Sequence, residues 1–316
     1  MAKNKIWLII LFAVAVYLIM CIYADWETLI SAMKNFKLIF IPLMIILTTI
    51  AYFIRFYKWN FFLKTAGVKL NMKDNLFVFF SGLGMIITPA KVGEIWKGWL
   101  IKDINGESLG KTVPVVIIDR FTDLIGLIIL SLLGILYYKE GISILIILII
   151  IFAGFFMAVK SKWISNKIIS ILEKRAGKYS GDIKTMHRTF EKTMAPKGLV
   201  FMSFVSAFAW FFECLALYYV IIGFGESINI ILSTFVFSFA SLAGAVSMIP
   251  GGLGIAEGTI TGLLQYFGLN SAVSIGTAII IRFGTLWYGA ILGFSVYLIF
   301  KKRIILETTK IDREVN

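Results

Sequence analysis

Long apolar stretches separated by short polar ones dominate the chain. Residues 6–24, 38–54, 113–138, 142–159, 199–224 and 272–300 each approach or exceed the length needed to cross a bilayer, about 20 residues in a helix. None shows the two-residue alternation of a barrel strand. Two more apolar stretches are interrupted. Residues 75–103 break at Thr88-Pro-Ala-Lys-Val-Gly-Glu-Ile-Trp-Lys97, and residues 230–267 break at Ser247-Met-Ile-Pro-Gly-Gly-Leu-Gly-Ile-Ala-Glu-Gly258. Proline removes a backbone donor and clashes with the preceding turn, and each glycine weakens a helix interior. The arm 75–87 is too short to span comfortably, and 230–249 could span but runs straight into Pro250-Gly-Gly with only 259–267 after it, so both stretches are predicted to be re-entrant helical hairpins. Irregular backbone at membrane depth survives only where protein or a watery cavity covers it. The expected fold is an all-α polytopic membrane protein with six full spans and two hairpins.

The two interruptions resemble each other. Pro89 aligns with Pro250, Val92 with Leu253 and Gly93 with Gly254. At nearly the same offset downstream, Ile117-Ile-Asp-Arg-Phe-Thr-Asp-Leu124 matches Ile279-Ile-Ile-Arg-Phe-Gly-Thr-Leu286, with Arg120 aligned to Arg282. Two spaced matches in register indicate an internal duplication. One half covers residues 38–159 with its hairpin at 75–103, and the other covers 198–300 with its hairpin at 230–267.

Charge sets the orientation. Lys3 and Lys5 precede the first span, Arg55, Lys58, Lys64, Lys69 and Lys73 follow the second, and Lys301-Lys-Arg303 closes the last. Under the positive-inside rule these flanks are cytoplasmic, as are both termini. Residues 25–37 then form a short outer connection. Residues 160–197 hold ten Lys or Arg against three acids, +7 in all, and form a cytoplasmic connection between the halves. Its apolar positions (Trp163, Ile164, Ile168, Ile171, Leu172) suit an amphipathic helix on the inner leaflet, and its charge suits a solvated linker equally well. With this orientation one hairpin enters from each face, so the repeats are inverted, in the cell membrane.

Composition agrees: of 316 residues 59% are hydrophobic and 16% charged, with a mean hydropathy of +0.90. The net charge of +13 points to anionic lipid headgroups as neighbours. No nucleic-acid partner is expected, because the aromatic residues lie mainly within the spans. Cys21 and Cys214 both fall in apolar stretches, and no disulfide framework or metal site is expected. The one histidine, His187, stands among Lys184, Arg188 and Lys192 and reads as a solvated loop residue.

Ionisable residues inside spans cost roughly 2.5–3.5 kcal/mol each and mark functional candidates. Arg120 lies about seven residues into its span, roughly 10 Å deep at the helical rise. Asp119 and Asp123 share a helix face, and Asp123 is placed to pair with Arg120. Arg282 has no acid on its own helix, so its partner comes from elsewhere, with Glu257 the first candidate and Glu213 the next. A helix starting after each break presents N–H groups and a positive dipole end to the protein centre. Two such ends near the midplane, as in inverted-repeat transporters, make an anion site with Lys91, Lys97, Arg120 and Arg282. The candidate substrate-binding set is Lys91, Glu94, Lys97, Asp119, Arg120, Asp123, Pro250, Gly251, Gly252, Gly254, Glu257 and Arg282. The competing reading is purely structural: ion pairs that staple helices and glycines that permit close packing. No nucleophile–base set, nucleotide-binding loop or cofactor motif is present, so no cofactor and no catalytic residue is expected.

Four motifs in order, Thr88-Pro-Ala-Lys-Val-Gly-Glu-Ile95 with Trp99-Leu100, Ile118-Asp-Arg-Phe-Thr-Asp-Leu124, Ile249-Pro-Gly-Gly-Leu-Gly-Ile-Ala-Glu257 and Arg282, resemble the transmembrane region of lysylphosphatidylglycerol synthases. The resemblance covers nearly the whole chain. It implies a flippase-like region for aminoacylated phospholipid, which in the synthases carries a separate cytoplasmic transferase domain. These 316 residues hold no such domain, so a free-standing member is expected. The family usually has Arg where Lys91 stands and Glu-Arg-Leu where Asp119-Arg120-Phe121 stands. Lysine lacks the bidentate fork for phosphate, so lipid identity does not carry over. The expected function is translocation of an anionic or polyprenyl-phosphate-linked lipid. The alternatives are a subunit that presents a lipid to a partner transferase or glycosyltransferase, and an enzyme using the Asp119/Asp123 or Glu94/Glu257 carboxylates.

Overall fold

The computed structural model describes residues 2–88, 93–136 and 180–315, plus isolated positions between 142 and 154. Lys91, most of the predicted span 142–159 and the amphipathic stretch 163–172 lie outside the described residues. All regular structure among the described residues is helical. The helices are α1 (Ala2–Tyr23), α2 (Trp26–Asn35), α3 (Phe40–Thr65), α4 (Met72–Leu83), α5 (Trp96–Asn105), α6 (Leu109–Leu132), α7 (Ser180–Thr193), α8 (Pro196–Gly223), α9 (Ile230–Val246), α10 (Ile255–Tyr266), α11 (Ser271–Arg282) and α12 (Tyr288–Val315).

Phe40–Thr65, Pro196–Gly223 and Ser271–Lys301 are long and apolar enough to cross a membrane; α1 with α2 makes a fourth candidate, bent by 97°. α6 matches them in length but carries Asp119, Arg120 and Asp123. Local chemistry sets several boundaries. Asn71, Asn229 and Asn270 accept N-cap hydrogen bonds from Asp74, Ile231 and Val273, and Pro196 opens α8 where its missing N–H costs nothing.

Both interrupted stretches are helix–break–helix. α4 and α5 flank residues 84–95, and α9 and α10 flank residues 247–254. In the second break the backbone turns left-handed at Met248, Gly251, Gly252 and Gly254. Gly252 has φ +66, and a Cβ there would meet the Gly244 backbone at 3.0 Å, so only glycine lets the break fold back onto α9. A π-helical turn at Phe283–Trp287 joins α11 to α12 directly after Arg282. Wide turns of this kind recur at functional sites.

Packing is reciprocal. α3 packs against α8, α9 against α6, and α4 against α12, while α5 and α10 contact the helices that follow them. Alongside two smaller clusters, two large apolar cores result among the described residues. One surrounds α4 and α5 with Trp59, Phe62, Phe79, Val115 and Ile118; the other surrounds α9 and α10 with Leu217, Phe235, Ile260 and Ile281. α3, α6 and α8 run through both cores.

Three expectations change. The second span does not stop at residue 54: α3 continues to Thr65, and Arg55 and Lys58 are buried in the bundle instead of marking a cytoplasmic flank. Residues 25–37 are not merely a connection, since most of them form amphipathic α2, which buries Leu29. His187 sits on helix α7, 3.4 Å from Glu191, and not in a loop. The continuing apolar residues Trp59, Phe61, Phe62 and Leu63 explain the first change, because they keep α3 inside after its two cations.

Candidate functional site

Between the two apolar cores lies a layer of buried charge. Lys58 on α3 is fully buried and reaches three groups on α6: the Asp123 carboxylate at 2.5 Å, the Asp119 carboxylate at 3.2 Å and the Asp119 carbonyl at 2.9 Å. Ser206 on α8 adds a hydrogen bond to Asp123. Arg120 contacts Asp119 at 2.6 Å, Asp123 at 2.9 Å and Glu94, just before α5, at 3.4 Å. Glu94 also pairs with Lys97 at 2.9 Å, and the Lys97 ammonium lies 4.6 Å from the Trp59 ring centroid. Isolated buried charges would cost several kcal/mol apiece, so each recruits an opposite partner.

The second half is simpler. Arg282 donates from Nε to Glu257 at 2.7 Å and from Nη2 to the Gly251 carbonyl. Glu257 is fully buried, and its other oxygen accepts from the Gly254 N–H at 2.8 Å. One N–H at the N-terminus of α10, that of Gly254, is therefore taken by the chain's own carboxylate. In both halves a glutamate beside the break meets the arginine of the following helix.

A third pair joins helices outside the hairpins. Arg55 on α3 binds Glu213 on α8 at 2.7 Å, with its guanidinium carbon 4.0 Å from the Trp210 ring centroid. Lys58, Ser206, Arg55 and Trp210 escape sequence reasoning. The signal for the two cations is the apolar residues resuming at Trp59; Glu213 is visible in sequence, but its partner is Arg55 and not Arg282.

These groups surround a cavity of about 150 Å³. Arg55, Arg120, Asp123, Glu213 and Arg282 line it, along with Ile86 near the first break and Ile249, Gly251 and Gly252 of the second. Of the sequence candidates, Arg120, Asp123, Gly251, Gly252 and Arg282 meet at the cavity. Asp119, Glu94 and Glu257 stand behind the arginines as their partners, and Lys97 is held behind Glu94. Pro250 and Gly254 shape the break without lining the cavity.

Comparison with known proteins agrees on the class. A UPF0104 membrane protein of Pyrococcus horikoshii is 26% identical over 332 residues, covering 95% of this chain and 99% of its own length. A second, of Methanocaldococcus jannaschii, is 25% identical over 237 residues, covering 70% of this chain and 95% of itself. A third, of Methanothermobacter thermautotrophicus, is 25% identical over 285 residues, covering 83% of each. Residues 8–293 match the family model described as lysylphosphatidylglycerol synthase TM region, and this membrane protein belongs to that family.

Proposed function

We propose that the protein is a lipid translocase that moves an anionic phospholipid, or a polyprenyl-phosphate-linked lipid, between leaflets of the cell membrane. The observation that carries this reading is the arginine-lined cavity enclosed by α3, α6, α8, α9, the second break and the π-helical turn. A cavity of about 150 Å³ is of the size that holds a benzene-sized molecule. It therefore takes a headgroup, and the acyl chains stay in the bilayer.

The reading treats residues 38–159 and 198–300 as inverted repeats within six spans, with both termini cytoplasmic. Support comes from the shared order of long helix, interrupted helix and long helix, and from the reciprocal packing of α4 on α12 and α9 on α6. The paired Glu94–Arg120 and Glu257–Arg282 contacts add to it. Inverted-repeat transporters bind substrate near the midplane between discontinuous helices and rock one repeat against the other. Here Arg282 ties the second break to α11, so rearrangement of that break would open the cavity.

Reconstituted liposomes carrying labelled phosphatidylglycerol test the proposal. Wild type is expected to equilibrate the label between leaflets, with Arg282→Ala near the protein-free rate. Equal exchange by both overturns the assignment. No exchange by wild type, together with co-purification of a transferase, would replace it with the lipid-presenting role.

A further inference from the structure

Three arginines line the cavity, and their hydrogen bonding differs. Every guanidinium nitrogen of Arg120 has a carboxylate within 3.4 Å, although Nε, the one facing Glu94 at that distance, makes no hydrogen bond. Its two terminal nitrogens are both taken, so no free two-donor edge is left. Arg282 is committed through Nε to Glu257 and through Nη2 to the Gly251 carbonyl. Arg55 spends only Nη1, on Glu213 at 2.7 Å, while Nε and Nη2 have no protein acceptor. Those two donors form one edge of a planar fork, on a side chain only 6% exposed that borders the cavity. A buried donor without an acceptor is costly and calls for a reason.

Net charge does not supply that reason. Among the described residues, the ion pairs in and behind the cavity wall use five cations (Arg55, Lys58, Lys97, Arg120, Arg282) and as many carboxylates (Glu94, Asp119, Asp123, Glu213, Glu257). A balanced set attracts an anion only where donors point at it without partners. Trp210 stacks on the guanidinium, and Glu213 fixes its far nitrogen, so the Nε/Nη2 edge is held in one orientation.

Resting on the translocase reading of this cavity, we infer that Arg55 is the residue that binds the ligand's oxyanion, with Nε and Nη2 donating to two oxygens of one phosphate ester. Arg120 and Arg282 act instead as positioning residues that clamp the two hairpins around it. Bidentate recognition of this kind belongs to arginine and is lost in lysine.

The test measures ligand binding to the purified full-length protein in neutral detergent, by native mass spectrometry and thermal shift. The probes are dioctanoyl phosphatidylglycerol, dioctanoylglycerol as the uncharged control, and inorganic phosphate. Wild type should prefer the phosphatidylglycerol over the diacylglycerol. Arg55→Lys, which keeps a charge opposite Glu213, should bind it about tenfold more weakly or worse, with the diacylglycerol unaffected. Should Arg55→Lys fold poorly, Arg55→Met/Glu213→Gln removes the ion pair as a unit and should show the same selective loss. Arg55-dependent binding of inorganic phosphate would make the free ion a sufficient ligand, and binding of the phosphatidylglycerol alone would make it a lipid headgroup. Binding by both variants equal to wild type, or no preference by wild type, overturns the inference. Arg55-dependent binding without leaflet exchange would sink the translocase reading and leave this site standing. Exchange with binding indifferent to Arg55 would do the reverse.

Discussion

Arg120 and Arg282 occupy matching places after matching breaks, yet they are held in opposite ways. Arg120 takes two of its carboxylates from its own helix, and a lysine from α3 shares them, so it is fixed before the first hairpin contributes Glu94. Arg282 takes both recorded partners, Glu257 and the Gly251 carbonyl, from the second hairpin. The first cluster therefore behaves as a rigid plug shared by α3, α6 and α8. The second is one side chain whose loss detaches a break from α11. Under the proposed translocation, dense pairing in one half and a single tie in the other would let the second break open while the first cluster holds.

The largest effect should come from the rigid side. Lys58→Met leaves Arg120 as the one cation paired with Asp119 and Asp123 and should cost about 3–5 kcal/mol, read as a large drop in thermal midpoint in detergent. Adding Asp123→Asn should recover a substantial part, because removing both partners leaves less uncompensated charge. If Lys58→Met melts like wild type, the first cluster is not the plug described.

The tie in the second half should be cheaper to break and functionally louder. Glu257→Gln keeps the shape but weakens the Arg282 contact and the Gly254 cap, for about 1.5–3 kcal/mol. Proteolysis or hydrogen exchange at residues 247–254 should rise while α3 and α6 stay protected. Uniform loosening of both halves would erase the contrast between them. Gly252→Ala works on the same break through the backbone: φ +66 disfavours any side chain by about 1–2 kcal/mol, and the Gly244 backbone at 3.0 Å leaves no room. It should also expose residues 247–254 without touching the Lys58 cluster, as hydrogen exchange would report.

The breaks are legible in sequence because proline and clustered glycine act locally, whatever the tertiary context. Glu257 is legible as the partner of Arg282 because α11 offers no acid of its own. Arg55 and Lys58 are not legible, because a basic residue at the end of an apolar stretch usually marks a flank. Only Glu213, supplied by α8 far along the chain, gives Arg55 a place inside. The same distance hides the cavity, whose walls come from both halves. Local composition thus reveals where the chain bends, and long-range pairing decides which charges the bends enclose.

The smallest effect separates glycines that the break requires from one it does not. Gly258 sits in the first turns of α10, exposed, and a Cβ there meets nothing within 4 Å. Unlike Gly251, Gly252 and Gly254 it has no positive φ, so alanine can take its helical conformation unstrained. Gly258→Ala should therefore stabilise by about 0.5–1 kcal/mol, through helix propensity and a less flexible unfolded chain. The thermal midpoint should rise slightly, with lipid exchange unchanged. Slower exchange at equal or greater stability would mean that α10 bends in the working cycle, moving the flexible element from the break into the helix behind it.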